Sequence, residues 1–255
     1  MATQAMRAPM SAEHRFFLIS AIAMAVINVA GFSLQFAMGR STFAAPALLH
    51  VHAITFFGWT FFYVLQNALA TTGAVALHRR LGWIGAGWAA AIVLLGIVMT
   101  VGMVRRGAAP FFFEPAYFLF MNGLSVLGFG GLATAAILLR RRTDWHRRLF
   151  FCGMTMLMGP AFGRILPMPL LIPWAGWAVF AAIMIFPAIG IGRELARGRV
   201  HPAWWWGAGT IVVIQCAMGL IAFSPVGLAV YGWVVAGTPG AGVSPVDFPP
   251  FPPGV

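Results

Sequence analysis

Histidine followed by two arginines and a leucine occurs twice in this chain, in LHRRLG at 77–82 and in WHRRLF at 145–150, each time at the head of a long apolar run. Neutral imidazole is the commonest side-chain ligand for transition metals. His78 and His146, placed at one depth on neighbouring helices, can supply both axial ligands of a haem b iron. The same residues also suit a second role, which their arginine neighbours favour, because imidazole and guanidinium at a helix end bind lipid phosphates and hold depth.

A second group of reactive side chains lies in HVHAITFFGWTFFYVLQN, residues 50–67. His50 and His52 are two residues apart and point to opposite sides of a helix, so they cannot chelate one ion together. The helical phase picks out His52, which shares a stripe with Thr55, Trp59, Tyr63 and Gln66. Polar groups repeated down one face of a membrane helix must look into the bundle, since lipid cannot satisfy them. Glu114, Tyr117 and Ser125 form another stripe, and Arg164 lies roughly 27 Å along the helix axis from His146. These spacings predict an outer-half polar site lined by His52, Trp59, Glu114, Tyr117 and Arg164. Such a site can hold a quinone head, a metal, a small solute or a proton relay; a structural Glu114–Arg164 pair beside a hydrogen-bonded histidine is the alternative.

Only a bilayer accommodates the segments that must position these residues. Of 255 residues 61% are hydrophobic and 8% charged, far below the charge content of soluble domains. Seven apolar windows are long enough to cross as helix, at about 16–38, 47–71, 82–104, 115–139, 149–166, 170–191 and 203–223. The fold class is therefore an all-α polytopic transmembrane bundle of seven helices over residues 1–237. A Pro- and Gly-rich tail, 238–255, is expected to be extended and flexible. Pro160, Gly163, Pro167 and Pro169 predict a kink at the outer end of the fifth span.

All sixteen basic residues are arginine, and they fall in the loops. Twelve lie on the side of the N-terminus and four on the other, which predicts an N-terminus inside. A charge of +11 distributed this way is a topology signal, and nucleic acid is not an expected partner. Neither Cys152 nor Cys216 has metal-site spacing, and no phosphate loop, nucleophile triad or dinucleotide fingerprint occurs. LAT at 69–71 and again at 132–134, upstream of the two His-Arg-Arg-Leu pieces, suggests that helices 2–3 and 4–5 are related hairpins.

The stretches HAITFFGWTFFYVLQNALATTGAVALHRRLGW and RRRTDWHRRLFFCGMTMLMGPAFGRI resemble a group of multi-helix membrane proteins of proteobacteria over roughly residues 47–166. That resemblance implies a bacterial inner membrane and carries no established activity. The chain also resembles the cytochrome b561 type of haem bundle, from which it departs in having no histidine on helix 4; only His78 and His146 survive that comparison. The leading expectation is a redox component of the inner membrane that binds haem b or a quinone. The alternatives are a small-solute transporter or channel and a non-catalytic subunit that docks on a membrane-complex partner.

Overall fold

The structure is a computed structural model that describes residues 11–251. Within them the chain is all-α. Helices run over Ala12–Ala37 (α1), Ala47–Thr71 (α2), Val75–Arg105 (α3), Pro115–Leu138 (α4), Thr143–Met156 (α5), Gly159–Ile165 (α6), Ala175–Leu195 (α7), Pro202–Ala222 (α8) and Pro225–Val235 (α9). Single 3-10 turns at Met168–Leu171 and Pro239–Gly242 complete the elements. Six of these helices, α1 to α4, α7 and α8, are long and apolar enough to cross a bilayer. Large apolar side chains such as Ile54, Leu94, Val213 and Leu220 point outward from them. An exterior of this kind is what lipid requires, and it fits a multi-pass membrane protein.

Local signals account for most helix ends. Ser11 accepts the amide hydrogen of His14 at the start of α1, and Ser224 accepts that of Gly227 at the start of α9. Proline occupies the first position of α4, α8 and α9, where its missing N–H costs nothing. Glycines with positive φ at 39, 73, 107 and 198 end α1, α2, α3 and α7, each where the chain must leave the helix in a left-handed turn.

The expected fifth span, 149–166, is not one helix. Helix begins earlier, at Thr143, and stops after Met156, and α6 takes over at Gly159. The cause is Pro160, which has no N–H to give the Met156 carbonyl. The chain tightens instead, with the amides of Leu157 and Met158 bonding to the carbonyls of Met154 and Thr155. Proline alone does not force this, since Pro187 sits inside a continuous α7; at Pro160 a glycine precedes the ring and a second glycine follows, at 163. The break therefore falls nearer the middle of the segment than the kink expected from its proline-rich end. The other shifts are smaller. Helix α3 starts at Val75, so His78 lies within its first turn, and the window at 170–191 becomes α7 at Ala175–Leu195.

Helices α4 and α5 occupy the middle of the bundle. Their buried residues, among them Phe129, Leu132, Ala133, Ala136, Phe151 and Cys152, meet α2, α3, α7 and α8. Two end levels follow from contacts. At one, Arg148 of α5 reaches Glu13 of α1 and Glu194 of α7, and Thr71 of α2 reaches the His14 carbonyl. At the other, a Cβ on Gly176 of α7 would strike Tyr117 of α4, and Gln35 of α1 donates to the Arg164 carbonyl.

The Pro- and Gly-rich segment lies over this second level at 238–251, and the rest of the expected tail, 252–255, lies outside the described residues. The Pro245 carbonyl accepts the Ala116 amide, Phe251 packs on Phe111, and Gly240 abuts the end of α3. A Cβ on Gly240 would stand 2.0 Å from the Val104 carbonyl oxygen, with no flexible side chain to yield. Gly240→Ala is therefore expected to lift the segment and to remove hydrogen-exchange protection from the Ala116 amide, while amides in the middle of α4 keep theirs.

Candidate functional site

His78 and His146 meet. Their ring centroids lie 6.2 Å apart with the planes perpendicular, although 68 residues separate them in sequence. Each sits in the first turn of its helix, and the α2–α3 and α4–α5 hairpins bring those turns to one level. His146 Nδ1 is 2.9 Å from the Ala136 carbonyl, which fixes the tautomer with Nδ1–H donating and leaves Nε2 with its lone pair. His78 Nδ1 is buried and has no partner, and its ring lies beside the Gln66 backbone. No group of three or more His, Cys, Asp or Glu suited to one metal ion occurs among the described residues.

On α2 the expected stripe faces inward. Trp59 is 3% exposed and touches Phe129 of α4 and Phe150 of α5, and Tyr63 is buried one turn further along. His52 packs on Phe56. Three members of the stripe carry buried polar atoms without partners: His52 Nδ1, Trp59 Nε1, and both amide atoms of Gln66.

The outer-half residues separate into two groups. Arg164 stacks over Phe32 at 4.0 Å, donates to the Pro160 carbonyl, and lies close enough to His52 to act on it electrostatically. Tyr117 is buried against α7 and α8, accepts a hydrogen bond from Gln215 at 3.2 Å and stacks on Phe223; Glu114, the residue before α4, is near it. Neither Glu114 nor Arg164 makes an ion pair among the described residues, so the alternative Glu114–Arg164 pair does not form. Partial burial pushes the Glu114 carboxyl above its usual value.

Sequence reasoning overlooked the densest cluster of charge. Arg148, 5% exposed, donates from Nε to Glu194 Oε1 at 2.9 Å, from Nη2 to Glu194 and to Glu13 Oε1 at 2.7 Å, and from Nη1 to the Asp144 carbonyl at 3.0 Å. Glu194, 7% exposed, also accepts the Trp204 indole N–H at 2.8 Å and the His201 amide at 2.8 Å. Arg147 completes the group through Glu13 and Asp144. Partial burial, and then the Arg148 guanidinium, hold the His201 imidazole below its ordinary value, and the neutral ring accepts the Ala203 amide through Nδ1. The cluster ties the ends of α1, α5, α7 and α8 together. Its carboxylates and the Arg148 guanidinium are well satisfied, which is the signature of a structural clamp rather than of a reactive site. One signal for it was available: three of five acids, Glu13, Asp144 and Glu194, lie on the arginine-rich side.

No family model, no curated protein and no solved structure matches this chain.

Proposed function

We propose that this protein crosses a bacterial inner membrane seven times, with α5 and α6 together forming the fifth crossing, and that His78 and His146 would hold a haem b in an electron-carrying role. Three observations support the topology. α5 begins at the level of Glu13 and Glu194, α6 ends at the level of Gln35, and α7 begins beside Tyr117 at that second level. With arginines concentrated at the first level, the N-terminal side faces the cytoplasm.

The 6.2 Å separation of the two rings carries the cofactor reading. Imidazoles that face one metal from opposite sides, each nitrogen about 2 Å from it, put their centroids about 6 Å apart. A lone pair of histidines cannot complete the four-coordinate shell of a protein-ligated zinc. It suits a metal that brings its own equatorial ligands, as a porphyrin iron does. The Ala136 carbonyl orients His146 in the manner of the outer-shell acceptors that hold metal-ligating histidines. Held by the two rings, a haem would supply one-electron redox chemistry. The chain's own part is to hold the two ring nitrogens at one depth, inside an apolar wall that includes Phe150.

An absorbance spectrum of protein purified from haem-replete cells tests this. A Soret band with sharpened visible bands on reduction is expected, lost in His78→Ala and in His146→Ala and kept in His50→Ala. A wild-type spectrum without a Soret band would overturn the reading.

A further inference from the structure

Seven buried side-chain N or O atoms have no partner among the described residues, and five of them form one series. His52 Nδ1, Trp59 Nε1 and the two amide atoms of Gln66 belong to residues spaced by seven on α2, hence to a single helix face, and His78 Nδ1 lies where that face ends. The series spans roughly 21 Å, from residue 52 to residue 66 at 1.5 Å per residue. Its middle is closed to the surface, with Trp59 3% exposed, whereas His52, Gln66 and His78 at the two ends are each partly exposed.

Unmet polar atoms in a protein interior are expensive. Four on one face of α2, with the fifth on α3 where that face ends, form a column that something polar must fill, because neighbouring side chains do not. Thr55 does not fill the need: its hydroxyl donates to the Val51 carbonyl, and its oxygen accepts nothing from these atoms. Phe129 and Phe150 wall the column at Trp59 and offer no acceptor. Trp204 makes the contrast plain: it is equally buried, yet its indole N–H is taken by Glu194. Water is the smallest molecule that both donates and accepts, as the Gln66 amide requires, and buried water commonly serves otherwise unsatisfied groups.

We propose that the inward face of α2 carries a file of bound water from His52 to Gln66, and that this file is a proton route between the outer end of the bundle and the histidine pair. The route stands whether or not the pair holds a haem, because neither readout below involves one.

X-ray radiolytic footprinting of the wild-type protein in lipid nanodiscs reads the water directly, since hydroxyl radicals formed from bound water oxidise the side chains beside it. Trp59 is expected to be oxidised readily and Trp204 to be spared. Equal labelling of the two indoles, or none on Trp59, would overturn the proposal. In liposomes of phosphatidylethanolamine and phosphatidylglycerol with a trapped pH dye, a potassium–valinomycin potential is expected to drive proton entry faster than in protein-free vesicles. Gln66→Leu and Trp59→Phe, checked for wild-type elution and melting, are expected to return the rate to the protein-free level. A wild-type rate no faster than empty vesicles, or one unchanged in both folded variants, would equally defeat it.

Discussion

Arg148→Met is expected to destabilise the folded protein by about 3–5 kcal/mol, the range found when one partner of a buried ion pair is removed. The size follows from what remains. Glu194 keeps the Trp204 and His201 N–H donors but loses its cation while only 7% exposed. Glu13 keeps only Arg147, and the Asp144 carbonyl loses a donor. The ends of α1, α5 and α7 meet at this guanidinium and α8 joins them through Glu194, so its loss is felt by all four helices. The double variant Arg148→Met with Glu194→Gln separates charge from packing. Glutamine leaves no anion at this position, but its single carbonyl oxygen replaces only one of the two carboxylate oxygens that accept from Trp204 and from the His201 amide, so it is expected to recover part of the loss. Reversible unfolding in mixed micelles measures both. A single variant within about 1 kcal/mol of wild type would show the pair behaving as a solvated surface bridge, and the clamp would not exist.

That clamp marks where sequence reasoning stops. Six of the seven apolar windows and the inward phase of His52, Trp59 and Gln66 are properties of single helices, written in residues a few positions apart, and the structure has them. The meeting of His78 and His146 was also accessible, because each residue opens the returning helix of a hairpin and hairpins place such turns at a shared level. The partners of Arg148 were not, because Glu13 and Glu194 are 135 and 46 residues distant and only the packing of α1 and α7 against α5 delivers them. The same applies to the outer half. Tyr117 and Arg164 occupy matching depths, yet depth says nothing about azimuth: α8 draws Tyr117 to Gln215, and α1 draws Arg164 to Phe32. A stripe on a helix gives its phase, and only the neighbours decide which stripe it faces.

The crossing of α1 over α6 supplies the second large effect, because there backbone lies on backbone. A Cβ on Gly31 would stand 2.7 Å from the Ala161 carbonyl oxygen and 3.1 Å from its Cα. Nothing flexible can retreat, so Gly31→Val must push the seven-residue α6 away and loosen the Arg164 stack on Phe32 and the Gln35 hydrogen bond. A destabilisation at the upper end of about 1–3 kcal/mol is expected, as for overpacking elsewhere. Gly163→Val provides the comparison within α6 itself. It introduces the same β-branched residue into a helix, but no atom lies within 4 Å of the Cβ position, so it carries the change in helix propensity without the collision. Unfolding midpoints of the two variants in one detergent give the difference. If α1 and α6 are in contact through Gly31, its variant falls well below that of Gly163; equal midpoints would mean that the two helices do not approach so closely, and that the broken fifth segment is held by something other than α1.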